Sequence, residues 1–133
     1  MPEKKIKILM VDDDKEICDL IKQYFQMTGK YKVLVASEGN IGMRLAFCHW
    51  HKPHIVILDL NMPGIDGFEV LRRLRTDKET SYTPVVILTG RQDYASQIKA
   101  EGLYCDDYIV KPIELKVLQS RIEEVLKKRG ITE

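Results

Sequence analysis

The residues with the most chemistry to offer open the chain, in "KIKILMVDDDKEI". There Ile6, Ile8, Leu9, Met10 and Val11 run straight into Asp12, Asp13 and Asp14. A buried strand that ends on adjacent carboxylates is costly, because charge is expensive to desolvate unless a counter-charge meets it. Other apolar runs also end on reactive side chains. Asp59 follows "HIVIL", Thr89 follows "PVVIL" and Lys111 follows "DYIV". The run Tyr31–Ala36 ends in Ala36 and Ser37 and adds no charge. Brought together, these ends would place three carboxylates, a hydroxyl and an ammonium in one crevice. Carboxylates that close repel, and they cannot all ionise cheaply without a counter-charge. A hard divalent cation supplies one. Mg²⁺ suits such a site, since it takes oxygen ligands, uses few carboxylates and keeps several waters. Asp59 stands alone on its loop and is the natural nucleophile. A carboxylate forms an acyl phosphate where a metal and a lysine neutralise the charge that builds on phosphorus.

The elements that must position these residues follow from periodicity. Five apolar runs, Ile6–Val11, Tyr31–Ala36, His54–Leu58, Pro84–Leu88 and Asp107–Val110, alternate with amphipathic segments. "IVIL" and "VVIL" are apolar without alternation, as in parallel strands covered on both faces. In "KEICDLIKQYFQMTG", Ile17, Leu20, Ile21, Tyr24 and Phe25 follow helical spacing. Asp14 is placed to cap that helix and Gly29 to end it. Further helices are expected from about Glu38 to about His51, Phe68 to Arg75 and Asp93 to Glu101. The last carries Leu115, Leu118, Ile122 and Val125 on one face. Right-handed crossovers turn this order into an α/β fold, a doubly wound five-stranded parallel sheet with five helices. Its ligand crevice lies beyond the carboxyl ends of the strands.

The set "VDDD", "ILDLNMPGIDG", "ILTG" and "DYIVKP", in this order and spacing, resembles the receiver domain of two-component response regulators. The likeness covers nearly the whole chain and implies the flavodoxin-like receiver topology. It implies that Asp59 accepts a phosphoryl group from a phosphohistidine on a histidine kinase or histidine phosphotransfer protein, with Mg²⁺. Asp13 and Asp59 then bind the metal, Asp12 acts largely through water, and Asn61 contributes its backbone carbonyl. Thr89 and Lys111 bond phosphoryl oxygens, and Tyr108 turns inward as Thr89 moves. A cis bond between Lys111 and Pro112 is implied too. The usual signalling face would be the fourth helix, fifth strand and fifth helix, binding a downstream target protein. Two positions depart from the family pattern. Tyr104 and Cys105 stand where glycine and alanine are usual, with the glycine earlier, at Gly102. Arg91, two residues after Thr89, occupies a place that together with Asn61 flanks the path of the hydrolytic water.

Composition adds limits. The 133 residues suit a single domain, 1–133, and the net charge of +1 gives no bulk attraction for nucleic acid or anionic membrane. No apolar stretch spans a bilayer. No signal-peptide pattern precedes the first strand, and three scattered cysteines, Cys18, Cys48 and Cys105, form no framework, so a cytoplasmic location is expected. Met1 and the closing "KKRGITE" favour a complete single-domain regulator over a receiver cut from a larger DNA-binding regulator or hybrid kinase. No turnover enzyme is expected. An aspartyl-phosphate phosphohydrolase would need a second acid where Asn61 stands, and a flavin module would need hydroxyls where the aspartates stand. Gly64 suits positive φ, and Asp66 with Gly67 shapes the turn into the third helix. Gly90 leaves space beside Thr89. Cys18 reads as filler beside the apolar stripe. His49, His51 and His54 with Trp50 read as an ordinary helix end, not a metal site.

Overall fold

The computed structural model describes residues 4–48 and 52–131. Five strands and five helices alternate along the chain. The strands are β1 (Ile6–Val11), β2 (Tyr31–Ala36), β3 (Ile55–Leu58), β4 (Val85–Thr89) and β5 (Asp107–Val110). The helices are α1 (Lys15–Met27), α2 (Gly39–Phe47), α3 (Gly67–Thr76), α4 (Tyr94–Ala100) and α5 (Leu115–Lys128). All strand pairs are parallel and the sheet order is β2-β1-β3-β4-β5. The order reverses at β1, so the crevice opens between the carboxyl ends of β1 and β3.

Two apolar layers cover the sheet. One joins Ile8, Met10, Ile57 and Leu88 to Ile21 and Phe25 of α1 and to Leu118 and Ile122 of α5. The other joins Leu9, Val11, Leu58 and Ile87 to Met43 of α2, Leu71 of α3 and Ile98 of α4. Strands β3 and β4 are buried along their whole length, because helices lie on both faces.

Local chemistry sets the helix ends. Asp14 accepts the Ile17 N–H at 3.3 Å, and Asp66 accepts that of Glu69 at 3.0 Å. Gly29, Gly102 and Gly130 follow their helices with positive φ. After α4, the Gly102 N–H bonds the Lys99 carbonyl and the Leu103 N–H that of Ile98. That pair of bonds is a Schellman ending, which needs a left-handed residue where Gly102 stands.

Four expectations shift, the first being that α2 stops at Phe47, short of the expected His51, with Cys48 already extended. β3 starts at Ile55, because His54 sits at its entrance. His54 donates its backbone N–H to the Lys7 carbonyl and accepts the Lys7 N–H at Nδ1. β4 runs from Val85 through Thr89, since Pro84 has no N–H for the ladder. Leu20 lies outside the core at 55% exposure. The buried face of α1 centres on Cys18, Ile21 and Phe25, which turns Leu20 toward a groove shared with Ile17, Ile113 and Leu115. Cys18 is core filler as expected. His49, Trp50 and His51 lie outside the described residues.

Candidate functional site

Register brings the carboxylates together. Val11 pairs with Leu58, so the next residues, Asp12 and Asp59, leave the sheet side by side. The Asp59 N–H bonds the Val11 carbonyl at 2.9 Å, and the Asp12 N–H bonds that of Ala36 at 3.0 Å. Thr89 pairs with Val110, and the Lys111 N–H bonds the Thr89 carbonyl at 2.8 Å. The Lys111–Pro112 bond is cis.

Carboxylate oxygens of Asp12, Asp13 and Asp59 lie within 4.8 Å of one another. Lys111 Nζ donates to Asp12 Oδ2 at 2.8 Å and to Asp59 Oδ2 at 3.4 Å. Asp12, Asp59 and Thr89 are buried, at 1%, 6% and 0% exposure, whereas Asp13 is exposed. Asp59 Oδ1 accepts the Asn61 N–H at 3.1 Å, which orients the carboxylate. Asp12 Oδ1 accepts the Asp14 N–H at 2.9 Å. Burial pushes the Asp12 carboxyl up, partly offset by its bond to Lys111. Burial pulls the Lys111 ammonium down, but Asp12 and Asp59 outweigh it and leave it raised. Three carboxylates thus face a single ammonium, so the crevice holds two more acidic groups than basic ones. A divalent cation balances such an acidic excess, and the donors are all hard oxygens, so the site fits Mg²⁺.

Glycine sets the place of Asp59. A Cβ on Gly67 would stand 2.2 Å from the Asp59 carbonyl oxygen and 2.5 Å from Leu60 Cα. Only glycine lets the start of α3 approach the Asp59–Leu60 backbone this closely. Gly39 plays the same part on the far side, where a Cβ would meet the Ile65 carbonyl at 2.6 Å. Gly64 has φ +75° and needs the left-handed region.

The switch candidates meet through an unexpected residue. Tyr108 is half-buried, packing against the layer that holds Ile98. Its hydroxyl donates to the Arg91 carbonyl, and the Arg91 N–H donates to Thr89 Oγ1 at 3.4 Å. Burial, with the Asp93 carboxylate near, pushes the Tyr108 phenol up to about 12. Sequence reading placed Arg91 by resemblance alone and took Asp93 only as the start of a helix. Nothing local signals that their side chains pair.

A 2-1-3-4-5 parallel sheet with an acidic, lysine-paired crevice at its switch point is a flavodoxin-like architecture. Residues 8–123 match the response regulator receiver domain, and the chain belongs to that family. It is 38% identical over 126 residues to a probable transcriptional regulator, ycf27, of Guillardia theta, covering 95% of this chain and 47% of that one. It is 35% identical to RpaA of Synechocystis, described as a DNA-binding dual master transcriptional regulator, covering 92% and 49%. The chain thus spans about half the length of the curated relatives it matches. Among solved structures it resembles the response regulator TrrA of Thermotoga maritima, determined with Mg²⁺-BeF. The TM-score is 0.78 at 30% identity, covering 91% of this chain and 99% of that one. No helix among the described residues is long and apolar enough to cross a membrane.

Proposed function

We propose that Asp59 is the phosphoacceptor of this receiver domain and takes its phosphoryl group from a phosphohistidine of a histidine kinase or histidine phosphotransfer protein. The observation that carries this reading is the convergence of Asp12, Asp13 and Asp59 on Lys111 at the sheet's carboxyl edge. An Asp59 oxygen forms the new O–P bond as the donor's N–P bond breaks. The imidazole nitrogen leaves with its electron pair and takes up a proton. Asp12, Asp13, Asp59 and the Asn61 carbonyl would hold Mg²⁺, which when bound supplies positive charge at the phosphoryl oxygens. Lys111 offsets charge on a second oxygen, and Thr89 bonds a third. The phosphoryl group brings about −1.5 to −2 charge. Two charge-assisted bonds of roughly 1.5–3 kcal/mol each supply most of the roughly 5.5 kcal/mol that converts a mostly-off to a mostly-on surface. The region from Thr89 to Tyr108 carries that change to a downstream target protein. The chain promotes its own phosphorylation without turnover of a small substrate, acts in the cytoplasm and is one receiver domain over residues 1–133.

A second reading has its own support. Coverage of only about half of the curated relatives suits a receiver unit within a longer regulator, whose other part would bind DNA as the RpaA description states for that protein.

Intact mass after incubation with acetyl phosphate tests the assignment. One phosphoryl adduct is expected on the wild type with Mg²⁺, and none without Mg²⁺ or on Asp59→Asn. An adduct that persists on Asp59→Asn would move the phosphoacceptor elsewhere.

A further inference from the structure

Helix α2 reads GNIGMRLAF and carries a second glycine, Gly42, inside its length. Glycine there works against the helix, since it loses more backbone freedom than alanine and has no side chain to pack. Tertiary packing supplies the reason for it. A Cβ on Gly42 would stand 2.8 Å from Val11 Cγ2 and 2.9 Å from Val11 Cγ1, with Val11 Cβ next at 3.4 Å. All three atoms belong to one side chain, and that side chain has little room to retreat. Val11 is fully buried in the layer that covers the α2 and α3 face of the sheet, and a β-branched residue is stiff at χ1.

Val11 also anchors the crevice. It is the last residue of β1, paired with Ala36 of β2 and Leu58 of β3. Its carbonyl accepts the Asp59 N–H at 2.9 Å, and the residue after it is Asp12. One residue thus holds the backbones of both buried carboxylates, and α2 presses on it through bare glycine. We infer that Gly42 is a positioning residue for the carboxylate crevice: lacking a Cβ, it lets α2 seat on Val11, and that seating fixes where Asp12 and Asp59 leave the sheet. The inference rests on Asp12, Asp13 and Asp59 holding Mg²⁺. A methyl at position 42 must displace α2 or Val11. Lifting α2 would expose Met43 and Ala46, which are buried on the same helix, so displacement passes to Val11 and from it to both aspartates. Mg²⁺ demands near-ideal octahedral geometry, so a small shift of two carboxylates costs affinity without unfolding the chain.

A cycle of variants on the full chain tests this, read by the Mg²⁺ dissociation constant from isothermal titration calorimetry and by the metal-free urea midpoint. Gly42→Ala is expected to weaken Mg²⁺ binding on the order of tenfold. Val11→Ala removes both Cγ atoms and leaves the Cβ, at 3.4 Å, in ordinary contact range. In that background Gly42→Ala should add less than about a twofold loss, because the two sites act through one contact. A merely structural contact would lower the urea midpoint and leave the dissociation constant of the folded protein at its wild-type value; that result overturns the inference. A full further loss in the Val11→Ala background does so too, since the methyl would then act on something other than Val11. Where Gly42→Ala does not fold by itself, the pair decides. Folding with the Mg²⁺ affinity of Val11→Ala supports the inference, and failure to fold where Val11→Ala folds sinks it. A wild type that binds no Mg²⁺ would overturn the metal reading of the crevice and the inference with it.

Discussion

The carboxyl ends of β1 and β3 and the segment from Thr89 to Tyr108 border one crevice and are held in opposite ways. At the first, the backbone of Asp59 is pinned between helix starts. Gly39 and Gly67 touch the 59–67 loop so closely that neither has room for a Cβ, and Phe68, Val70, Leu71 and Leu74 of α3 are buried behind them. At the second, α4 contributes one buried side chain, Ile98. Its ends are held by the exposed Arg91–Asp93 pair and by a partly exposed Arg72–Glu101 bridge at 3.0 Å. Backbone packing cannot relax cheaply, whereas surface ion pairs contribute little each. The carboxylate crevice is therefore held rigidly, and α4 sits where a few kcal/mol move an equilibrium.

That contrast can be broken at several points. Gly67→Ala forces a methyl into the Asp59–Leu60 backbone. It should cost about 3 kcal/mol in a urea melt, with phosphorylation lost in parallel. Gly90→Ala, beside Thr89, meets nothing within 4 Å and should change the same melt by less than about 0.5 kcal/mol. Equal losses at the two glycines would erase the distinction.

Charge repulsion gives a smaller effect of opposite sign. Asp13→Asn removes one of three crowded carboxylates. Without Mg²⁺ it should stabilise the fold by on the order of 1 kcal/mol, while weakening Mg²⁺ binding. Melts with and without Mg²⁺ check both halves, and a destabilised, metal-insensitive variant would contradict the crowded-carboxylate picture.

The switch region should show itself at high pH. The Tyr108 phenol is raised to about 12 in the fold, against about 10 in an unfolded chain. The folded state then holds a proton that the unfolded chain gives up. Its contribution is fully present below about pH 10 and is lost as pH rises toward 12. Partial exposure limits the effect to under about 1 kcal/mol. Ultraviolet titration should show a late-ionising tyrosine that disappears in Tyr108→Phe. Smallest of all, Arg72→Ala should change global stability by less than about 0.5 kcal/mol. It should nonetheless speed hydrogen exchange at the Leu103 amide, which bonds Ile98 at the end of α4. Unchanged exchange there would mean that the bridge does not hold α4.

Much of the scaffold was legible because its signals are local. Asp14 and Asp66 announce helix starts by what a short carboxylate does for free N–H groups, and Gly64 announces a turn. Leu20 misled because helical spacing defines a stripe but not its centre, and only the packing of α1 on the sheet chose Cys18 over Leu20. Asp93 shows a different limit. It has the right type at the right place for a cap, and Arg91 two residues earlier outcompetes the helix for its oxygens. Adjacent residues leaving a strand face opposite ways, so Asp12 and Asp13 had to differ, but only the packed sheet decided that Asp12 is the buried one.

The sequence alone determined the run of strands and helices and the residue type at each strand end, because apolar runs, periodicity and capping act over a few neighbours. Tertiary structure decided which carboxylate is buried, which oxygen Lys111 meets and what fixes Arg91. Lys111 and Asp12 are 99 residues apart in the chain, and burial and pairing at that separation exist only once the sheet has assembled in register.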